Sequence, residues 1–121
     1  MLNKASWIPD HVRHDRMQIR VISVTFVVGL IMFDNDDDNF FCLIYPGFWP
    51  IESDDERKRI EKAALSATAK TKVAKVFPVE DSVWASIETF ATTPDAVTPL
   101  FQRMISALRA AVKTFVEEMG H

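Results

Sequence analysis

The sequence predicts an α+β fold in which an antiparallel sheet of four to five strands carries two main helices on one face. Three observations predict it. A long stretch rich in β-branched and aromatic residues comes first, a helix with a clear start follows it, and a second pair of strands leads into an amphipathic terminal helix. The resulting order, β-β(-β)-α-β-β-α, is typical of an antiparallel sheet with its helices packed on one side.

The chain has 121 residues, a length that fits one domain with one hydrophobic core. We assign residues 1–16 to an N-terminal arm and residues 17–121 to a single domain. The composition, 48% hydrophobic and 26% charged, is that of a globular protein. A formal net charge of −3 without a basic block argues against a nucleic-acid-binding protein.

Two features indicate the compartment. Cys42 is the only cysteine, so an intramolecular disulfide cannot form, which favours a reducing environment. The apolar run Val21–Phe33 is shorter than the roughly 20 residues that a transmembrane helix needs, and no signal-peptide cleavage site follows it. We therefore expect a cytoplasmic protein without membrane insertion.

The first β-rich stretch, Gln18–Phe33, is too long for one ordinary strand. Either Gly29 bends it or the chain folds back near residues 23–25, and the sequence leaves both open. From Val24 onward both faces are apolar, which is typical of a strand that is covered on both sides or lies at a dimer interface.

A turn and a second strand come next. The D-N-D-D-D-N stretch at residues 34–39 is rich in the residue types that bond to their own backbone in turns. It predicts a hairpin between Val27–Phe33 and a buried strand at Phe40–Tyr45. The chain is then expected to turn at Pro46-Gly47.

The first helix is predicted from Ser53 to about Thr71. Ser53 and Glu56 form an S-x-x-E capping box, in which the serine side chain accepts from the Glu56 amide while the Glu56 side chain accepts from the serine amide. Small residues on the inner face would let the helix lie close to a sheet. This inner stripe consists of Ile60, Ala63, Ala64 and Ala67.

Two further strands, Val73–Val79 and Val83–Phe90, flank a turn at residues 80–82. Trp84 and Phe90 share one face of the second strand, and we expect both to be buried, because large aromatic side chains dominate hydrophobic cores.

The last helix is predicted to begin between Ala96 and Pro99, because proline lacks the amide donor that a helix interior requires. Apolar residues recur after it at helical spacing and predict the main core stripe. They are Phe101, Met104, Ile105, Leu108, Val112, Phe115 and Met119, whereas Arg103, Arg109, Lys113 and Glu117 are predicted to face outward.

Candidate metal sites are weak. Asp34, Asp36 and Asp38 alternate as in a calcium loop, but the glycine and the bidentate glutamate of that loop are missing, so a solvated turn is the better interpretation. His11 and His14 lie three residues apart in the arm, yet no third ligand stands at a matching spacing, unless His121 comes round from the far end of the sequence. We assign no metal ligands.

No motif of catalysis is present. Cys42 is surrounded by apolar residues, a setting for a packed thiol rather than for an activated nucleophile. The chain lacks G-x-S-x-G, G-x-G-x-x-G and a P-loop. We therefore expect a protein that is not an enzyme, with no catalytic or cofactor-binding residues.

The aromatic residues are the most informative candidates for a functional surface, since tryptophan and tyrosine are enriched at protein–protein interfaces. For Phe48 and Trp49, in the string P-G-F-W-P, burial in the core and exposure to a partner are about equally favoured. The contact residues that we predict for a protein partner are Val24, Phe26, Phe48, Trp49 and Trp84.

The order of elements and several strings resemble the YbjN family, which shares the fold of class I type III secretion chaperones. The strings are F-F-C-L-I-Y-P-G-F-W-P-I at Phe40–Ile51, the charged helix at Ser53–Lys70, the hairpin at Lys72–Glu88, and A-L-R-A-A-V-K-T-F-V in the terminal helix. The similarity covers roughly Val24 to Met119. It departs from the family at the N-terminus, where members usually have a helix before the first strand.

The resemblance implies a bacterial, cytoplasmic regulator of the kind described as a sensory transduction regulator, often a homodimer, with a chaperone-like fold that holds segments of other proteins without catalysis. It carries over no catalytic residues. The alternative function is a small-ligand or metal-binding module that uses an aromatic pocket or the His11/His14 arm.

Overall fold

The computed structural model describes the backbone of residues 17–24, 27–34 and 37–121, and the side chains of residues 40–93 and 95–121. The strands are β1 (Met17–Val24), β2 (Val27–Asp34), β3 (Asp37–Pro50), β4 (Ala74–Val79) and β5 (Ser82–Phe90). The helices are α1 (Asp54–Lys70) and α2 (Phe101–Glu118). The α+β class with two helices is thus confirmed.

The sheet is antiparallel, and its strands lie in the order β1-β2-β3-β5-β4. Val24 pairs with Val27, so the first β-rich stretch folds back on itself and Gly29 lies within β2 opposite Ile22. Of the two arrangements that the sequence left open, the hairpin is the one formed. β3 occupies the interior of the sheet, where it pairs with β2 on one side and with β5 on the other.

The core lies between the helices and one face of the sheet. Alternate residues of β3 and β5, among them Leu43, Val83 and Ile87, pack with the buried stripes of both helices. In α1 the buried residues are the four predicted, Ile60, Ala63, Ala64 and Ala67. In α2 they are Ile105, Leu108, Ala111 and Phe115.

The first helix starts as predicted, with one change at its cap. The Ser53 hydroxyl accepts a hydrogen bond of 3.1 Å from the Glu56 amide. The Glu56 carboxylate accepts from the amide of Glu52, at 2.9 Å, rather than from that of Ser53. The Glu56 side chain therefore holds the residue before the cap instead of the cap itself. This bond and the one from the Ile51 amide to the Asp81 carbonyl, at 2.8 Å, hold the chain between β3 and α1.

Three features differ from the predictions by more than one residue. β3 begins at Asp37, inside the stretch predicted as a turn. The second α-helix begins at Phe101, because the residues on either side of Val97 form two short 3-10 turns, Pro94–Ala96 and Thr98–Leu100. Pro46-Gly47 is not a turn, since β3 continues through it to Pro50 and pairs again with β5.

Phe90 was expected in the core, but 76% of it is exposed. Its partner across the sheet is Phe40, and the two rings meet edge to face at 6.1 Å. β4 pairs with β5 only as far as Ile87. The end of β5 therefore extends past its neighbour, and no described strand on that side shields the ring.

Candidate functional site

The predicted contact residues lie in different parts of the sheet. Phe48 and Trp49 are in the second half of β3, and Trp84 is in β5. Val24 ends β1, where only its backbone is described. Phe26 lies outside the described residues. The structure thus brings Phe48 and Trp49 together and separates Trp84 from them.

A bulge in β3 positions Phe48 and Trp49. The register with β5 shifts between Tyr45, which pairs with Ala85, and Trp49, which pairs with Val83. Gly47 lies within this shift and has a φ of +56°, a conformation that glycine adopts without a steric penalty. Extra residues in one strand bend it and turn its side chains to a new direction.

The bulge places Phe48 and Trp49 against the end of α2, and Tyr45 against Phe48. The rings of Tyr45 and Phe48 stack at 5.4 Å. Phe48 and Trp49 each meet Phe115 edge to face, at 5.5 and 5.4 Å between ring centroids. The Trp49 ring also lies 5.4 Å from that of His121. We call Tyr45, Phe48 and Trp49 the aromatic bulge.

The aromatic bulge is half-buried, so neither full burial in the core nor full exposure describes its three side chains. Phe115 is fully buried and belongs to the core, and the three rings pack on that core from outside. Each ring keeps part of its surface exposed. The contacts with Phe115 hold Phe48 and Trp49 in fixed positions, so little side-chain entropy remains to be lost if a partner covers them.

Trp84 lies on the opposite face of the sheet and is only 5% exposed. Its indole N–H donates to the Ser82 hydroxyl at 3.1 Å. Burial of Trp84 agrees with the expectation that it packs inside, but it leaves little surface for a partner. Trp84 therefore does not belong to the same contact surface as the aromatic bulge.

Cys42 lies on the same face as Trp84 and is buried. Burial, with a smaller contribution from the negative charge of Glu88, raises the pKa of the Cys42 thiol to about 12. The thiol is therefore protonated at neutral pH, and a protonated thiol is a poor nucleophile. Glu88 lies opposite Cys42 in the sheet and pairs with Lys75, whose Nζ is 2.5 Å from its Oε1.

The candidate metal ligands receive no support from the described residues. Within that part of the chain, no group of three His, Cys, Asp or Glu side chains is arranged to hold a metal ion. His11, His14 and Asp36 lie outside the described residues. Asp34 and Asp38 belong to β2 and β3, on either side of the connection between these strands.

A second surface feature was not indicated by the sequence patterns. A groove of about 660 Å³ lies between α2 and the connection from α1 to β4. Its lining includes Lys72, Val73, Leu100 and Arg103. The string K-T-K-V, which starts at the last residue of the first helix, and the exposed Leu100 are the signals that could have pointed to it. Neither resembles a known motif, and the groove depends on how the elements pack.

No helix among the described residues is long and apolar enough to cross a membrane. In comparisons with known proteins, no family model, no curated protein and no solved structure matches the chain.

Proposed function

We propose that the chain is a non-catalytic protein that associates with a protein partner through the aromatic bulge, and that the first such partner is a second copy of the chain. The observation that carries this proposal is the half-buried state of Phe48 and Trp49, which are fixed by Phe115 and still partly exposed. Aromatic side chains held in place in this way are typical of residues that dominate binding energies.

The same proposal includes the cellular role that the resemblance implies. A YbjN-like, type III secretion chaperone-like regulator in the bacterial cytoplasm would bind segments of other proteins without catalysis. The order of three strands, a helix, a hairpin and a terminal helix supports this interpretation. The protonated state of the buried Cys42 supports a role without covalent catalysis, because the strongest nucleophile in the sequence is not activated.

The contact surface that we propose differs from the set of contact residues that the sequence predicted. Trp84 is omitted because its side chain lies on the opposite face of the sheet and is buried there. Val24 stays a predicted contact at the level of its backbone position only, and Phe26 stays untested. Tyr45 is added because its ring stacks on that of Phe48.

The test is sedimentation equilibrium of the full chain over a range of concentrations. Trp49→Ala is expected to weaken self-association by at least about tenfold, the effect of losing an aromatic anchor. Because Trp49 also contacts the core, Trp49→Leu, which keeps apolar packing against Phe115, is measured beside it. Thermal unfolding of both variants shows whether they remain folded.

Phe90→Ser is the matched control, since it removes an exposed aromatic residue that lies away from the bulge. It is expected to leave self-association unchanged. The proposal fails if the wild-type chain stays monomeric at every concentration. It also fails if folded Trp49→Leu associates as tightly as the wild type.

A further inference from the structure

The groove between α2 and the α1–β4 connection has an apolar interior. Its floor includes Ile87 of β5, which is fully buried. Met104, Ala107 and Ala110 of α2 form one wall. A volume of about 660 Å³ is within the range of pockets that bind small molecules. An apolar chain laid along this wall would be shielded from water.

Two exposed apolar side chains stand among the residues that line the groove. Val73 is 67% exposed and Leu100 is 54% exposed. Within the described part of the chain, few large apolar side chains are exposed to this extent, and the others are Leu65 and Phe90. Exposed apolar surface next to an open groove is typical of a binding site.

The groove is positively charged, although the whole chain carries a net charge of −3. Three cationic side chains line it, Lys70, Lys72 and Arg103, and no carboxylate does. Lys70 donates a hydrogen bond to Glu118, which lowers the pKa of that carboxyl. Within the described chain, no carboxylate lies within 4.0 Å of Lys72 or Arg103. These two cations are available to an anion.

Two features of the backbone around the groove also favour a binding site for an anion. α2 begins next to it at Phe101, with no acidic residue in its first turn and no side-chain cap, so no carboxylate of that turn competes with an anion for the positive end of the helix dipole. On the other side, Val73 has a φ of +68°, which is rare for a β-branched residue. Strained residues of this kind concentrate at ligand sites.

We propose that the groove binds an amphipathic anion of the fatty-acid class, with the acyl chain against Met104 and Ala107 and the carboxylate between Lys72 and Arg103. The apolar interior selects the acyl chain of the ligand, and the two cations select its carboxylate. This site is separate from the aromatic bulge, and neither proposal depends on the other.

The test is isothermal titration of the full chain with decanoate, kept below its micelle concentration. Decanol provides the same chain without the charge, and acetate provides the carboxylate without the chain. Decanoate is expected to bind at least about tenfold more tightly than either, because a charge-assisted hydrogen bond in an apolar site is worth about that factor. Because burial of an acyl chain can release little heat at about 25 °C, the titration is done at two temperatures. Equal binding of decanol, or no binding of decanoate at either temperature, overturns the proposal.

Variants locate the site. Lys72→Gln and Arg103→Gln are each expected to weaken decanoate binding by about tenfold and to leave decanol binding unchanged. Ala107→Phe fills the groove and is expected to abolish binding of both. Lys113→Gln, an exposed cation of α2 outside the groove, is the matched control and should bind decanoate as the wild type does.

Two further outcomes count against the proposal. If Lys113→Gln weakens decanoate binding as much as Arg103→Gln, the attraction is a general surface effect. If an acidic amphipathic peptide binds the groove and decanoate does not displace it, the occupant is a protein segment rather than a fatty-acid anion.

Discussion

Gly47 adopts the backbone conformation on which the bulge in β3 depends, and the bulge sets the direction of the side chains that follow it. Its φ of +56° lies in the left-handed region. A Cβ added there would meet only the Ser82 hydroxyl, at 3.8 Å, which is an ordinary contact. The requirement for glycine therefore comes from the backbone conformation and not from lack of space.

Gly47→Ala is expected to lower the free energy of unfolding by about 1 kcal/mol, because an alanine Cβ is strained at this φ. Urea unfolding followed by circular dichroism measures the loss. Gly47→Asn is the control, since asparagine tolerates left-handed backbone better than alanine does, and its loss should be smaller. An alanine variant as stable as the wild type would show that the bulge relaxes without cost.

Ser53 illustrates what residue-scale reasoning predicts well. The capping box depends on two side chains three residues apart, so the start of α1 could be predicted from local chemistry. The acceptor role of Glu56 toward the Glu52 amide could not, because it depends on how the chain leaves β3.

At the scale of elements, the outer edge of β4 is protected from further strand pairing. The amide of Val76 donates to the Thr68 hydroxyl at 2.8 Å, and that hydroxyl donates to the Val76 carbonyl at 3.2 Å. In an antiparallel strand alternate residues face the same edge, so Ala74 and Pro78 face this edge too. The Ala74 amide donates to Lys72, and Pro78 has no amide hydrogen.

Thr68→Val is expected to lower the free energy of unfolding by about 2 kcal/mol, since it leaves the partly buried amide and carbonyl of Val76 without partners. It should also increase aggregation, because an unpaired strand edge is a template for pairing with another chain. Urea unfolding and light scattering measure the two effects.

Thr68→Ser keeps the hydroxyl and should restore most of the stability. Thr114→Val is the matched control, because the Thr114 hydroxyl bonds only to the Ala110 carbonyl of its own helix. An equal loss in Thr114→Val would mean that the bond between α1 and β4 has no special role.

The elements that could be predicted are those with a strong local pattern. The inner stripe of α1 and the outward-facing charges of α2 follow from helical spacing alone. The continuation of β3 past Pro46 could not be predicted, because it depends on Trp49 and Pro50 pairing with β5, far along the chain. The exposure of Phe90 likewise depends on where β4 ends.

At the scale of the whole molecule, both faces of the sheet are buried where β3 and β5 run side by side. Leu43 and Ile87 face the helices, whereas Ile44 and Ser86 face the other way, and all four are fully buried. The continuous apolar run from Phe40 could predict this, since a strand covered on both sides does not alternate.

The candidate sites were less predictable than the core. The aromatic bulge was indicated by composition, but its half-burial follows from contacts with Phe115 that no local pattern encodes. The positive groove was not indicated at all, since Lys72 and Arg103 are brought together only by the packing of α2 against the sheet.

Burial of Cys42 is expected to lower the stability of the whole molecule at alkaline pH. Its pKa is about 12 in the folded chain and 9.0 as the ordinary value. Between these values an unfolded chain releases the thiol proton and a folded chain keeps it, so the stabilising contribution is complete below pH 9.0 and declines above it.

The free energy of unfolding is therefore expected to fall by up to about 1.4 kcal/mol for each pH unit above the ordinary thiol pKa, through this group alone. Urea unfolding at about pH 8 and about pH 10 measures the slope. Cys42→Ala cannot titrate, so its stability should fall less steeply over the same interval, although its absolute stability is lower because a buried side chain is truncated. Equal slopes for the two proteins would show that the thiol ionises as easily in the folded chain as in the unfolded one.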